Sequence, residues 1–304
     1  MTAALGDLVR TSGEGCAGCS GCSCRDGRGL ASGEYIVIGA DQRWRVHQTT
    51  RPPFRYVCNL EYDLGAVGSW SVGTGTLIGP RTVLTAGHCV SLGAGGSLGL
   101  PSRMRIVPGR NGPLEPLPAT RAVRFFRYRG YAPNSPTDLA LIRLANPVGN
   151  SVGWWHQSRV VSAADPIGTS MSTALPAAAG TVRVSLSGYP ADMPAKRSLG
   201  CRLPSGAPCA YSALGSPGRN RTRCGTEQWQ SRNLTASPAV RGMLVYVNDT
   251  CPGHSGSPVW ISRPPAAGGR VLVGVHVGRF PLRNANRAVR LRPAVLQWIR
   301  RHWL

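Results

Sequence analysis

The 304-residue chain reads as an all-β protein built from two antiparallel barrels of about six strands each. Three observations predict this. Glycine and proline are abundant, at 39 and 25 residues, so turns are frequent. Apolar runs of strand length recur between those turns, whereas long stretches with a 3.6-residue period are scarce. The runs also fall into two groups that part near Asn146-Pro147.

In chain order, residues 1–36 are small, polar and glycine-rich, and read as a disordered leader or propeptide that buries no core. Strand-like runs follow at 54–60, 75–78, 83–85, 104–107, 122–126 and 139–144, punctuated by a Gly/Ser loop at 92–100 and a Pro-rich stretch at 111–118. The pattern restarts at 181–187, 243–247, 259–262 and 271–277. Between them, 199–223 reads as an additional loop. Near the end, Leu296, Ile299 and Trp303 recur at helical spacing and predict a C-terminal helix. The expected organisation is a first barrel over 37–150, a second over 151–290 and the helix over 291–304.

The most informative segment is Cys251-Pro252-Gly253-His254-Ser255-Gly256-Ser257-Pro258-Val259. Glycines on both sides of His254-Ser255 let the backbone turn sharply, present a serine, and aim its amides at one point. Such a string is weak alone. It gains force from Thr82-Val83-Leu84-Thr85-Ala86-Gly87-His88-Cys89-Val90, where an apolar run ends in small residues that present His88. Asp138 opens a third segment, Asp138-Leu139-Ala140-Leu141-Ile142-Arg143-Leu144, whose alternation reads as a strand. A nucleophile, a base and an orienting carboxylate in the order His, Asp, Ser match the chain order of chymotrypsin-like enzymes, not that of subtilisins or α/β-hydrolases.

At these residues the chain resembles the chymotrypsin-fold serine peptidases, and within them the bacterial glutamyl endopeptidases. The matching segments include Val37-Ile38-Gly39-Ala40-Asp41-Gln42-Arg43, Gly75-Thr76-Leu77-Ile78-Gly79, Thr85-Ala86-Gly87-His88-Cys89 and Asp138-Leu139-Ala140. Further along come Ser187-Gly188-Tyr189-Pro190, Asp249-Thr250, Gly253-His254-Ser255-Gly256-Ser257-Pro258-Val259 and Gly274-Val275-His276. The resemblance implies two Greek-key barrels with a cleft between them and a C-terminal helix. It implies hydrolysis of protein or peptide substrates by His88, Asp138 and Ser255, with the amides of Gly253 and Ser255 as oxyanion donors. No metal or organic cofactor is expected.

For the residue preceding the scissile bond, two readings stand side by side. Asp249 occupies the position that recognises Lys or Arg in trypsin-like relatives, while Thr250 and His276 match residues that bind a Glu side chain in glutamyl endopeptidases. A freed amine near Val37 would assist the latter. His254 departs from the Asp, Asn or Gln usual before the serine, so activation through a carboxylate at that position is not expected.

The formal net charge is +22, and Lys196 is the only lysine. The arginines are scattered, with local concentrations at 121–129 and 219–223. This charge allows nonspecific polyanion adhesion, and a non-catalytic polyanion-binding protein on the same fold is the alternative to a peptidase; specific nucleic-acid binding is not expected. No apolar run nears the roughly 18 residues of a transmembrane helix. A monomer is expected.

Cys58, Cys89, Cys201, Cys209, Cys224 and Cys251 form an even set suited to disulfides in an oxidising compartment. The preferred pairings are Cys58–Cys89, Cys201–Cys209 and Cys224–Cys251. In relatives the partner of the cysteine after the histidine lies nearer to it, where this chain has Gly73-Thr74-Gly75. Cys16, Cys19, Cys22 and Cys24 cluster in the leader, where adventitious cysteines are the expectation and a metal site the rival reading. Residues 1–33 show no basic stretch followed by an apolar core of signal-peptide type. The cysteines and the resemblance argue for a secreted or periplasmic location all the same.

Overall fold

The computed structural model describes residues 38, 41–63, 70–92, 99–155, 182–191, 193, 225–240, 242–262, 269–280 and 285–303. The leader, the 199–223 loop, Cys201, Cys209, Cys224 and the four leader cysteines lie outside this set.

A two-residue strand, β1 (Trp44–Arg45), precedes the first barrel. That barrel comprises β2 (Val57–Asp63), β3 (Trp70–Leu77), β4 (Thr82–Thr85), β5 (Met104–Pro108), β6 (Thr120–Arg127) and β7 (Ala140–Leu144). All pairs are antiparallel, and the order β2-β3-β4-β7-β6-β5 closes where β5 returns to β2. Leu60, Leu77, Val83, Ile106, Ile142 and Leu144 fill its interior without exposure. After the short α1 (Gly149–Val152) comes a second set: β8 (Val182–Gly188), β9 (Trp229–Val240), β10 (Met243–Tyr246), β11 (Pro258–Ser262), β12 (Arg270–Phe280) and β13 (Ala285–Arg290).

Strand β8 pairs with both β9 and β11, so these six also run round a closed circuit, β8-β9-β10-β13-β12-β11. The connectivity repeats that of the first barrel strand for strand. β1 is added outside the circuit, on β9. Closure removes the unpaired edges that an open sheet would expose.

A third apolar cluster joins the barrels. Leu84, Leu139 and Leu141 from the first meet Trp260, Leu272 and Val275 from the second. The expected helix, α2 (Pro293–His302), lays Val295, Leu296 and Ile299 on this cluster. It clamps both barrels: Trp303 Nε1 donates to Ile78 O at 2.9 Å, and Trp298 and His302 contact the rings of Tyr128 and Phe126. No helix among the described residues is long and apolar enough to cross a membrane.

The structure adjusts the strand reading. Residues 54–56 form a 3₁₀ turn after Pro52-Pro53, so β2 begins at Val57. Strands β9 and β13 carried no apolar alternation to reveal them; Gln230 and Ser231 are buried polar residues, as is Asn286, whose amide donates to Asn248 O at 2.8 Å.

The expected Cys58–Cys89 disulfide is not formed, and both buried residues keep free thiols. Cys58 points into the first barrel, whereas Cys89 belongs to the cluster between barrels, with its Sγ 3.6 Å from Ser255 O. The natural neighbour of Cys89 is Gly73, where a Cβ would stand 3.1 Å from that sulfur. A disulfide sets about 3 Å between one Cβ and the far sulfur. Gly73→Cys should therefore bridge to Cys89 and stabilise the fold by about 3 kcal/mol. Raised by roughly 6–12 °C, the melting temperature would then fall back on reduction; an unchanged free-thiol count would refute the pairing.

Candidate active site

Three segments from different parts of the chain converge at the junction of the barrels. His88 sits in the 3₁₀ turn 87–90 that follows β4, and its Nε2 lies 2.6 Å from Ser255 Oγ. Its Nδ1 lies 2.8 Å from Asp138 Oδ2. Asp138, just before β7, is fully buried and accepts two backbone amides as well: His88 N–H on Oδ1 at 2.9 Å and Asn134 N–H on Oδ2 at 2.6 Å. With three donors fixed on its oxygens the carboxylate has one orientation, and it holds the imidazole with Nε2 toward the serine. Asn134 achieves its contact with φ of 57°, a left-handed conformation that Asn tolerates better than most residues.

The serine loop depends on glycine at two points. Gly253 has φ of 94° and Gly256 has φ of 85°. A Cβ at Gly253 would lie 2.2 Å from Tyr189 O, and one at Gly256 would lie 1.9 Å from Thr74 O. The loop is thus pressed against β3 and the residue after β8, where any side chain would collide.

Thr74 on β3 is the strut on which this loop rests, and the sequence reading did not single it out. Its N–H donates to Ser255 O at 2.8 Å and its hydroxyl to Gly253 O at 2.7 Å. The same hydroxyl accepts Tyr189 N–H at 3.0 Å, while Thr74 O accepts the Thr85 hydroxyl at 2.7 Å. One fully buried residue therefore ties β4, which leads to His88, to the loop that carries Ser255, through its carbonyl on one side and its N–H and hydroxyl on the other.

The residues expected around the specificity pocket separate. Both oxygens of Asp249 are taken by backbone amides of the N-terminal segment, Ile38 N–H at 2.8 Å and Gln42 N–H at 2.7 Å. Burial pushes its carboxyl up, against the pull of those amides. Thr250 is buried with no hydrogen-bond partner for its hydroxyl. His276 on β12 is buried, shares a hydrogen bond of 2.6 Å between Nδ1 and the Tyr246 hydroxyl, and is main-chain paired with the serine loop through Gly256 and Ser257. His254 faces inward, where its Nδ1 accepts Cys251 N–H at 3.1 Å. Among the described residues no group of three or more His, Cys, Asp or Glu side chains is placed to hold a metal ion.

The two buried histidines make stability sensitive to acid. Burial pushes His254 well below its ordinary value and His276 down to about 3. Both rings stay neutral in the folded protein but take up protons once unfolded, below about pH 6.5. Their contribution is whole above that pH and falls as the pH drops toward the folded values. Together they should remove about 4 kcal/mol between pH 7 and pH 5. Denaturant melts at the two pH values test this: His254→Gln should lose about half of that pH dependence.

Comparison with known proteins bears on the family and the fold. The trypsin family model matches residues 45–299. The chain is 30% identical over 225 residues to a glutamyl endopeptidase of Bacillus licheniformis, a match covering 74% of this chain and 54% of the relative. It is 34% identical over 138 residues to an extracellular metalloprotease of Bacillus subtilis, covering 45% and 43% respectively. The chain thus spans about half the length of the curated relatives it matches. Among solved structures, a Glu endopeptidase in complex with MPD shares the fold with a TM-score of 0.63 at 23% identity, over 88% of this chain and 99% of that one. The match to one family model across both barrels, and the 30% identity over most of the chain, place it: the chain belongs to the trypsin family, the chymotrypsin-fold serine peptidases.

Proposed function

We propose that the protein is a serine endopeptidase that cleaves polypeptides after Glu or Asp. The observation that carries the reaction is the unbroken chain Asp138–His88–Ser255, with contacts of 2.8 and 2.6 Å. Ser255 Oγ attacks the substrate carbonyl as His88 Nε2 takes its proton; the imidazolium that forms is stabilised by Asp138. His88 then returns the proton to the leaving amine, and water repeats the sequence on the acyl-enzyme. The amides of Gly253 and Ser255 donate to the oxyanion, in a loop whose two glycine conformations set their direction.

The acidic preference rests on what Asp249 is doing. Lys or Arg recognition needs a carboxylate facing the substrate, and both oxygens of Asp249 already accept amides from residues 38 and 42. His276, by contrast, is neutral and held by Tyr246. In the tautomer where the single Tyr246 proton goes to Nδ1 rather than to Arg287 O, 3.3 Å away, Nε2 carries a proton for a substrate carboxylate, and the Thr250 hydroxyl supplies a second donor. An extracellular or periplasmic setting is part of the same proposal, supported by the likeness to the extracellular metalloprotease.

A fluorophosphonate probe followed by peptide mapping tests the chemistry, which requires the label on Ser255. Peptides with Glu, Asp, Arg or Phe before the scissile bond test the preference: Glu should lead, and cleavage led by Arg would overturn it.

Thr74 offers a sharper check on positioning. Thr74→Val keeps the shape but strands Gly253 O and Tyr189 N–H without their hydroxyl partner. It should lower kcat up to about 10²-fold with little change in KM, because the loop moves relative to His88. Thr74→Ser should restore most of the loss. Equal damage by both variants would mean that the methyl group, not the hydroxyl, is what matters.

A further inference from the structure

Every carboxylate among the described residues is already engaged within the protein. The acids pair with Arg43, Arg45, Arg103, Arg105, Arg110 and His88, and Asp249 is held by two amides. Strand β6 and the turn after it nevertheless expose Arg121, Arg124, Arg127 and Arg129, with no described carboxylate at ion-pairing distance. Their setting increases the repulsion: Arg124 stands directly across the ladder from Arg143. Like charges opposed in this way destabilise a sheet.

Two of these guanidinium groups are held in place by aromatic faces. That of Arg124 lies 4.9 Å from the centre of the Phe126 ring and that of Arg127 lies 5.5 Å from the Tyr131 ring. Tyr131 in turn closes on the residue before the catalytic histidine, since a Cβ at Gly87 would stand 2.6 Å from its ring. The charged row therefore starts one aromatic ring from His88 and runs outward along the first barrel.

We propose that this row is an exosite for acidic segments that flank the scissile bond in the protein substrate. The inference rests on the peptidase reading above and adds the substrate class: polypeptides in which the cleaved acid lies among other acids. A polypeptide bound across His88 has to leave the cleft over its rim, and an arginine-lined rim attracts acidic side chains there. Guanidinium groups already braced on aromatic rings lose little freedom on binding. Attraction of this kind acts mainly on encounter and weakens with salt.

The test uses the full chain carrying Ser255→Ala and two fluorescent peptides, each with one Glu, flanked on both sides by Asp in one and by Ser in the other. By anisotropy at about 50 mM salt the acidic peptide should bind about tenfold tighter, and this advantage should shrink to about twofold near 200 mM. Adding Arg124→Gln, Arg127→Gln and Arg129→Gln together should remove the advantage, while Arg183→Gln, on the exposed start of β8, should leave it. With Ser255 intact, the triple variant should cleave the Ser-flanked peptide as the parent protein does. An advantage that survives the triple variant overturns the proposal. So does loss of heparin binding in the triple variant with the peptide preference intact, which would make the row a general polyanion surface. A parent protein that takes no fluorophosphonate label would instead defeat the peptidase reading, and the binding comparison would still decide the exosite.

Discussion

Ser255→Ala should reduce turnover by about 10⁴- to 10⁶-fold and leave the melting temperature nearly where it was. The two halves of this expectation have separate causes. In the proposed reaction catalysis depends on Oγ, which faces His88 Nε2 at 2.6 Å. The loop itself is held by main-chain groups that the substitution leaves in place. Thr74 N–H still reaches Ser255 O, Gly256 N–H still reaches His276 O, and Ser257 N–H still reaches His254 O. His88 keeps some exposure, with 17% of its side chain open, so water can take the vacated bond. Residual rate would come from substrate binding and the oxyanion donors alone. Full activity in this variant would require a different nucleophile. The neighbouring hydroxyl of Ser257 is poorly placed for that, being packed against Gly188, where an added Cβ would meet it at 2.1 Å.

The three residues proposed to react could be picked out of the sequence because each lies in a short local pattern: small residues before His88, an alternating run after Asp138, glycines around Ser255. What holds them together is not local. Thr74 looks like any strand threonine, and its importance appears only when β3 meets a loop 179 residues later. Asn134 contributes a backbone N–H, which every residue but proline possesses; the one sequence hint was an Asn four residues before the aspartate, a type that accepts positive φ.

Asp249 shows the same limit from the other side. Its place six residues before the serine left two readings open, and the contacts that favour one of them come from amides 211 and 207 residues away in sequence. Pairing of Cys58 with Cys89 failed for a related reason: Cys58 on β2 faces the interior of the first barrel, whereas Cys89, in the turn after β4, packs in the cluster between the barrels. The strands missed by periodicity, β9 and β13, bury polar groups that bond to the segment after β10, Ser231 to Asp249 N–H and Asn286 to Asn248 O, so their burial is a property of the assembled barrel rather than of their own composition.

Asp138→Asn should lower kcat by about 10⁴-fold and, unlike Ser255→Ala, should also destabilise the fold. The carboxylate serves three donors with two oxygens, His88 N–H on one and both Asn134 N–H and His88 Nδ1 on the other. An amide has only one oxygen. Turned so that its NH₂ group faces His88 Nδ1, it forces the proton onto Nε2, and the ring can no longer accept one from Ser255. In that orientation the NH₂ also confronts Asn134 N–H. Turned the other way it confronts His88 N–H, leaving a buried donor without an acceptor in either case. Such a loss costs about 1–3 kcal/mol. The measurements are kcat across pH 6–9 and a denaturant melt of the same preparation. Loss of kcat at every pH in this range, with stability also reduced, is the expected pattern, since the two neutral tautomers of the ring carry the same number of protons and pH does not shift the balance between them. A variant that lost activity with full stability would show that the two backbone amides find other acceptors, and that the carboxylate acts on the imidazole alone.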